Sequence, residues 1–281
     1  MRIDLHTHSC VSDGTDTPAE LVAEAARAGL DVVALTDHDT FAGLPEARRA
    51  GQRLGVRVVD GIEISTRLNG VGVHLLGYWC DAADVDLAAE LARVREGRAG
   101  RVPDMLAKLA ELGMPVDEAT LAGIVAGKPS VGRPHVADAM IALGYVADRA
   151  EAFDKYLHEG GPAYADRYCT PLAPAIGLIH QAGGAAVIAH PWGRESRPEL
   201  TEEAFAALAA DHGLDGIEVD HEDHCAADRR ALAAIAARLG LVATGSSDYH
   251  GAGKAGHRLG CHTTSPSALA ALEARARRAN A

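Results

Sequence analysis

Short apolar runs alternate with longer stretches in which apolar positions recur every three or four residues. Residues 3–5, 31–36, 56–59 with 61–66, 71–78, 185–189, 216–219 and 241–244 read as strands. Between them lie helical stretches with explicit punctuation. Thr17-Pro18-Ala19-Glu20 is a capping box with Pro at the first helical position, opening a helix that ends near Gly29. Further helices cover 44–54, stopping at Gly55, the approach to Gly183-Gly184, 202–211 and 227–239, and one more follows Ser265-Pro266. Asn69-Gly70 between two apolar runs is a hairpin signal. From 84 to 168 the strand rhythm stops. Leu87, Leu91 and Val94, then Met105, Leu106, Leu109 and Leu112, then Val136, Met140 and Leu143 keep helical spacing only.

Strands mostly followed by helices predict an α/β fold, a distorted TIM-like (β/α) barrel of about seven strands. The barrel takes 1–83 and 169–281, and 84–168 forms an all-helical insertion or cap. The alternative is an open doubly wound sheet. A G-x-G-x-x-G or G-x-x-x-x-G-K-[ST] motif would support it only at a strand-to-helix turn, and neither sits at one of the predicted ones.

Composition narrows the function classes. The chain has 281 residues and a net charge of -12, which argues against nonspecific binding to duplex nucleic acid or to an anionic membrane. It leaves anionic substrates open, because bound divalent cations reverse the local field. Five scattered cysteines, with no C-x-x-C, suit free thiols in a reducing cytoplasm. No leader pattern and no apolar run long enough to span a bilayer is seen, so a cytoplasmic protein is expected.

Chelating residues cluster just after the predicted strands. His6 and His8, with Asp13 in the following turn, come after the first, and Asp37-His38-Asp39 after the second. Glu63 and His74 lie in the hairpin, His190 after a later strand, and Asp248 and His250 after the last. A barrel opens all its C-terminal strand ends on one face, so these groups are expected to converge on metal ions. A two-residue turn at Asn69-Gly70 pairs Ser65 with His74, which puts Glu63 and His74 on one face as diagonal neighbours. Glu63, between Ile62 and Ile64, is a carboxylate in an apolar strand, costly unless paired or metal-bound. Other candidates have plainer readings. His158, His180, His212 and His257 read as surface or helix residues. The run Asp220-His221-Glu222-Asp223-His224 reads as a charged loop, with His224 its best candidate for the site. Residues 127–135 form a Gly/Pro loop in which Arg133 offers a planar fork for phosphate and Lys128 a point charge.

The set D-L-H-T-H-S (4–9), S-D-G (12–14), T-D-H-D (36–39), G-I-E-I-S (61–65), H-L-L-G-Y (74–78), A-H-P (189–191) and G-S-S-D-Y-H (245–250) resembles the PHP family, the polymerase and histidinol phosphatase superfamily. Its nucleotide phosphatases and small 5′-to-3′ exoribonucleases are the nearest branch. The resemblance implies a distorted (β/α)7 barrel holding two to three divalent ions, Mn²⁺ foremost, with Fe²⁺ or Zn²⁺ as alternatives. It implies a first ion on His6, His8, Glu63 and Asp248, a second sharing Glu63 with His74 and His190, and a third on Asp13, His38 and His250. R-P-H at 133–135 also matches the family, supporting Arg133 and His135 as substrate contacts, with His135 a candidate proton donor to the leaving group. Three departures stand out. Cys10 sits where Thr or Ala is usual, so its thiol could ligate or oxidise. Trp192 lengthens the usual H-P-G-R, which changes the spacing on which the family role of Arg194 rests. Asp13 replaces the His of some relatives at the third ion.

The reading is a metal-dependent phosphoesterase in which activated water attacks a small phosphorylated nucleotide. The expected substrate is the 3′-phosphate of nucleoside 3′,5′-bisphosphates such as pAp, or short RNA cut from its 5′ end, with inorganic phosphate as a product. Arg133, His135 and Asp248 are the expected catalytic residues. Lys128, Arg194 and His224 join Arg133 and His135 in substrate binding. The alternatives are a PHP phosphatase of a histidinol-phosphate-like substrate, an amidohydrolase-type C–N hydrolase and a non-catalytic metal-binding module.

Overall fold

Seven strands run side by side in the order β1-β2-β3-β4-β6-β7-β8 in a computed structural model that describes residues 1–193 and 196–279. They are β1 (Ile3–Asp4), β2 (Val32–Leu35), β3 (Arg57–Leu68), β4 (Val71–Tyr78), β6 (Ala185–Ile188), β7 (Gly216–Asp220) and β8 (Val242–Gly245). A two-residue β5 (Thr170–Pro171) pairs with β3 off this path. A parallel bridge from Thr7 to Tyr249, with the His8 N–H donating to the Tyr249 carbonyl at 2.8 Å, brings the two ends together into a nearly closed barrel. The fold is the α/β barrel expected from the strand and helix rhythm.

One strand departs from a regular barrel. The tight turn at Asn69-Gly70 sends β4 back antiparallel to β3, and β4 is also antiparallel to β6. The mouth of the barrel therefore meets β4 near its start, and His74 reaches the face that the other strands reach with their ends.

Alternate strand residues point inward. Ile3, Val32, Val59, Leu76, Val187 and Val242 belong to one buried cluster with Leu269 and Leu272 of helix α11 (Pro266–Ala279). The outward residues meet α1 (Pro18–Arg27) and α2 (Leu44–Leu54) on one side. On the other they meet α8 (Leu172–Gln181), α9 (Glu202–His212) and α10 (Ala226–Leu239). Thr17 and Glu20 exchange the two hydrogen bonds of a capping box at the start of α1. Gly55, at φ 72°, ends α2 in the left-handed region.

Five helices fill the stretch between β4 and β5: α3 (Val85–Gly100), α4 (Val102–Glu111), α5 (Glu118–Val125), α6 (Arg133–Ala142) and α7 (Arg149–Ala152), the last running into a π-helical turn at Phe153–Leu157. Met105, Leu109, Val136, Met140 and Leu157 make a hydrophobic cluster of their own. Among the described residues of these helices, Leu87 and Leu91 of α3 join the cluster that packs α8, α9 and α10 on the barrel. Among the described residues no helix is long and apolar enough to cross a membrane.

Candidate metal centre

Nine side chains from six strands and their following loops converge at the barrel mouth. Nε2 of His6 and Nε2 of His8 face each other at 3.1 Å. Oε2 of Glu63 lies 3.3 Å from His6 and 3.1 Å from His8, and Oδ1 of Asp248 is 3.4 Å from both. The other oxygen of Glu63 meets Nδ1 of His74 at 2.6 Å and Nε2 of His190 at 3.2 Å. Asp13 stands 3.6 Å from Nε2 of His38 and 3.4 Å from Nε2 of His250. Among the sets with ligand atoms close enough to share an ion are His6-His8-Asp248, His6-Glu63-His190, His38-Glu63-His74 and His8-Asp13-His38-His250, with His221-Asp248-His257 beside them.

The hydrogen bonds around this network turn imidazole nitrogens inward. Nδ1 of His6 meets both carboxylate oxygens of Glu218, at 3.3 and 3.4 Å, so it donates and turns Nε2 toward the cluster. Nδ1 of His250 donates to the Asp248 carbonyl at 2.9 Å, with the same result. Nδ1 of His8, fully buried beside Asp13, has no hydrogen-bond partner. Buried imidazole nitrogens turned inward among carboxylates fit divalent cations of the imidazole-and-carboxylate class. Burial alone pushes the Asp13, Glu63 and Asp248 carboxyls up. The surrounding histidines, and Lys254 beside Asp248, outweigh it and hold all three well below the usual carboxylate range.

The backbone is held as tightly. His190 (φ 27°), Asp248 (φ 52°) and Asp39 (φ 57°) all occupy the left-handed region without being glycine. Asp37 and Asp39 flank His38 and fix its loop. Asp37 accepts from Ser9 N–H, Ser9 Oγ and Ser12 Oγ, and Asp39 accepts from Ser65 N–H and Oγ and from Arg98.

The PHP domain profile matches residues 4–76. A 3′,5′-nucleoside bisphosphate phosphatase from Chromobacterium violaceum is 37% identical over 268 residues, covering 93% of this chain and 91% of that protein. The chain belongs to the PHP family. A 5′-3′ exoribonuclease from Haemophilus influenzae is 34% identical over 252 residues, covering 89% of this PHP protein and 90% of its own length. A solved structure from Bifidobacterium adolescentis, described as a metal-dependent phosphoesterase, superposes with a TM-score of 0.91 at 34% identity and covers 97% of this chain and 96% of its own.

Beside the ligand cluster the PHP barrel opens into a cavity of about 940 Å³, roofed by the helical segment. Asp13, His38, His74 and His250 line one part, and Arg67, Arg98, Arg101, Arg133 and Arg167 another. Asp166 pairs with Arg67 and Asp39 with Arg98. Among the described residues no carboxylate lies in ion-pair range of Arg101, which is 5% exposed and has an unpartnered Nε. Burial, together with Arg167, Arg133 and Arg98, pushes its guanidinium down to about 8. A cationic group so short of counter-charge is built to receive an anion.

Several sequence expectations change here. Arg133 does line the cavity, its guanidinium donating to the Leu157 carbonyl at 3.0 Å and lying over Phe153 and Tyr164. Lys128 is not among the lining residues; it sits near Cys10 and His135, and Arg101 and Arg167 occupy the place expected of it. His135 is fully buried at the start of α6 and accepts the Gly132 N–H at Nδ1. Burial pushes it down to about 4, so it carries no extra proton at neutral pH and does not suit a proton donor. His224 spends both nitrogens on main chain, Nδ1 on the Val219 carbonyl and Nε2 on the Trp192 N–H, and does not reach the cavity. The expectation for Arg194 lies outside the described residues. Cys10 is not a member of the four ligand sets formed by the nine converging residues, and burial raises its thiol.

Four residues with clear contacts went unassigned in the sequence. Glu218 supports His6 and accepts the His190 N–H at 2.8 Å. His221, not His224, is the member of its run that reaches the site, its Nε2 3.5 Å from Oδ2 of Asp248. Lys254 meets the same oxygen at 2.6 Å. His257, expected at the surface, is buried and holds the Ser247 carbonyl at 2.7 Å.

Proposed function

We propose that this metal-dependent phosphoesterase of the PHP family removes the 3′-phosphate of nucleoside 3′,5′-bisphosphates such as pAp. In the same site it shortens 5′-phosphorylated oligoribonucleotides from the 5′ end. The observation that carries this reading is the pairing, in one cavity, of a cluster of candidate metal ligands with the buried Arg101, which has no carboxylate in ion-pair range among the described residues. A substrate with one phosphate at each satisfies both. The relatives named for a nucleoside bisphosphate and for 5′-3′ RNA cleavage act on molecules of that kind.

In this reading His6, His8, Glu63 and Asp248, Glu63 with His74 and His190, and Asp13 with His38 and His250 hold three ions, with Mn²⁺ the proposed metal. Bound there, divalent cations supply charge neutralisation at the phosphate and an activated water. The chain does the rest. Glu218 holds the Nδ1 proton of His6 and so aims its Nε2 at the ion position. His221 and Lys254 both hold Oδ2 of Asp248, leaving Oδ1 to face the histidines. Arg101, Arg133 and Arg167 bind the phosphate that stays on the product, and Phe153 and Tyr164 offer ring faces beside them. The helical segment serves as the cap. The five unpaired cysteines suit a cytoplasmic enzyme.

The test is release of inorganic phosphate from pAp, and of mononucleotides from a 5′-phosphorylated oligoribonucleotide, with Mn²⁺. Glu63→Gln abolishes both. Arg101→Met raises KM for pAp at least about tenfold, the loss of one charged phosphate contact, and barely changes turnover of a nucleoside 3′-monophosphate. A metal-loaded protein that hydrolyses neither substrate ends this reading.

A further inference from the structure

The arginines of the helical segment are not spread evenly over the barrel mouth. Arg149 of α7 is clamped by the carboxylate of Asp138 in α6 through Nε at 2.6 Å and Nη2 at 2.7 Å. Its remaining nitrogen, Nη1, donates to the main-chain carbonyl of Asp13 at 2.7 Å. Arg95 of α3 donates to the carbonyl of Asp39 at 2.7 Å, next to His38. The loop after His250 comes as close: a Cβ added at Gly253 would lie 2.4 Å from Nη1 of Arg149. Asp13, His38 and His250 belong to one ligand set, completed by His8. All three of their loops are therefore touched by the helical segment. His6 and Asp248, by contrast, take their support from the barrel, from Glu218, His221 and Lys254.

We propose that the ion position formed by His8, Asp13, His38 and His250 is assembled jointly by barrel and helical segment, with Arg149, anchored on Asp138, as the positioning residue that couples them. The guanidinium holds the Asp13 carbonyl and so fixes where the carboxylate of the same residue points. A side chain that orients a ligand in this way changes metal affinity by about 10- to 100-fold when removed. Coupling of two equilibria is reciprocal. Docking of the segment tightens this ion, and the ion in turn holds the segment down over the cavity. The proposal rests on the reading of the cluster as a metal centre, but not on any substrate.

The experiment titrates the full-length, metal-stripped chain with Mn²⁺ by calorimetry, with bound metal counted by elemental analysis. The wild type takes up three ions. Arg149→Ala and Asp138→Asn each weaken one ion at least about tenfold and leave the other two within about threefold. Arg149→Lys, which keeps a donor for the Asp13 carbonyl, recovers part of the loss. In hydrogen exchange, saturating Mn²⁺ slows the amides of 133–157 in the wild type and not in Asp13→Asn. If Arg149→Ala does not fold, Asp138→Asn, on a partly exposed carboxylate, decides alone. Three affinities unchanged in Asp138→Asn, an equal fall in all three, or a wild type with only two ions overturns the proposal. Because no substrate enters, inactivity toward pAp or RNA leaves this result standing, and the reverse holds too.

Discussion

Glu63 and Glu218 have the same sequence environment, a carboxylate between β-branched residues in an apolar strand: Ile62-Glu63-Ile64 and Ile217-Glu218-Val219. Both are fully or almost fully buried, and each is answered by histidines. Burial pushes the Glu218 carboxyl up, but His6 and His221 outweigh it and bring it down to about 2. Glu218→Gln keeps the shape and an acceptor for the His190 N–H, yet removes the charge that holds the proton on Nδ1 of His6. The expected outcome is a Mn²⁺ affinity about 10- to 100-fold lower with little change in the fold, measured by chelator competition and circular dichroism. An unchanged affinity would remove Glu218 from the support of the site. The cost of an unpaired carboxylate in a strand made Glu63 legible, and the same argument applied to Glu218 would have found it. His221 was harder to see. Its run contains two histidines, and only the path of the loop after β7 decides that His221 turns to Asp248 and His224 to main chain.

Helix α3 shows how an element hides function inside a structural pattern. Leu87, Leu91, Val94, Arg98 and Arg101 follow one another at spacings of four, three, four and three, and all five are buried. The apolar stripe of the helix thus continues into two arginines. That was a readable sign that its far end meets an anion or a carboxylate. Arg98 meets Asp39 and Arg101 faces the cavity, but Arg133 and Arg167 join them only through packing between helices, which no local spacing encodes. The β3–β4 hairpin is the opposite case. Its turn residues fixed the Ser65–His74 register, and a one-residue slip would have turned Glu63 and His74 to opposite faces. Gly70 sits at φ 90° with open space around it, so a methyl group there meets backbone strain and no clash. Gly70→Ala is expected to cost about 1 kcal/mol, read as a lower denaturant midpoint. Its kcat and metal content stay unchanged, because eight residue pairs hold the register.

At the scale of the whole molecule, an acidic chain concentrates histidines at its one dense cluster of buried carboxylates, and this makes ion uptake a proton exchange. Burial alone would push His8 down. Its hydrogen bonds to Asp248 and Glu63 outweigh that and raise it to about 9, and His6 moves the same way under the charges of Glu63, Asp248 and Glu218. In the ion-free protein, a histidine raised above its unfolded value of roughly 6.5 contributes stability that is complete below that pH. That stability is lost as the pH rises through 9. The metal-free chain should therefore lose this part of its stability between pH 6.5 and 9. A divalent ion needs the lone pair that the proton occupies, so binding below pH 9 must expel it. Mn²⁺ affinity is expected to rise about tenfold per pH unit for each proton displaced, and to level off above pH 9. Calorimetry in buffers of different ionisation enthalpy should register one to two protons released per chain at pH 7.5 and fewer at pH 9.5. Thermal unfolding should show the gap between metal-loaded and metal-free protein widening over the same interval. An affinity flat from pH 7 to 9, with no buffer dependence of the heat, would mean that His6 and His8 already present bare nitrogens to the ion. The carboxylates would then answer to the other cations around them, Lys254 first among those facing Asp248.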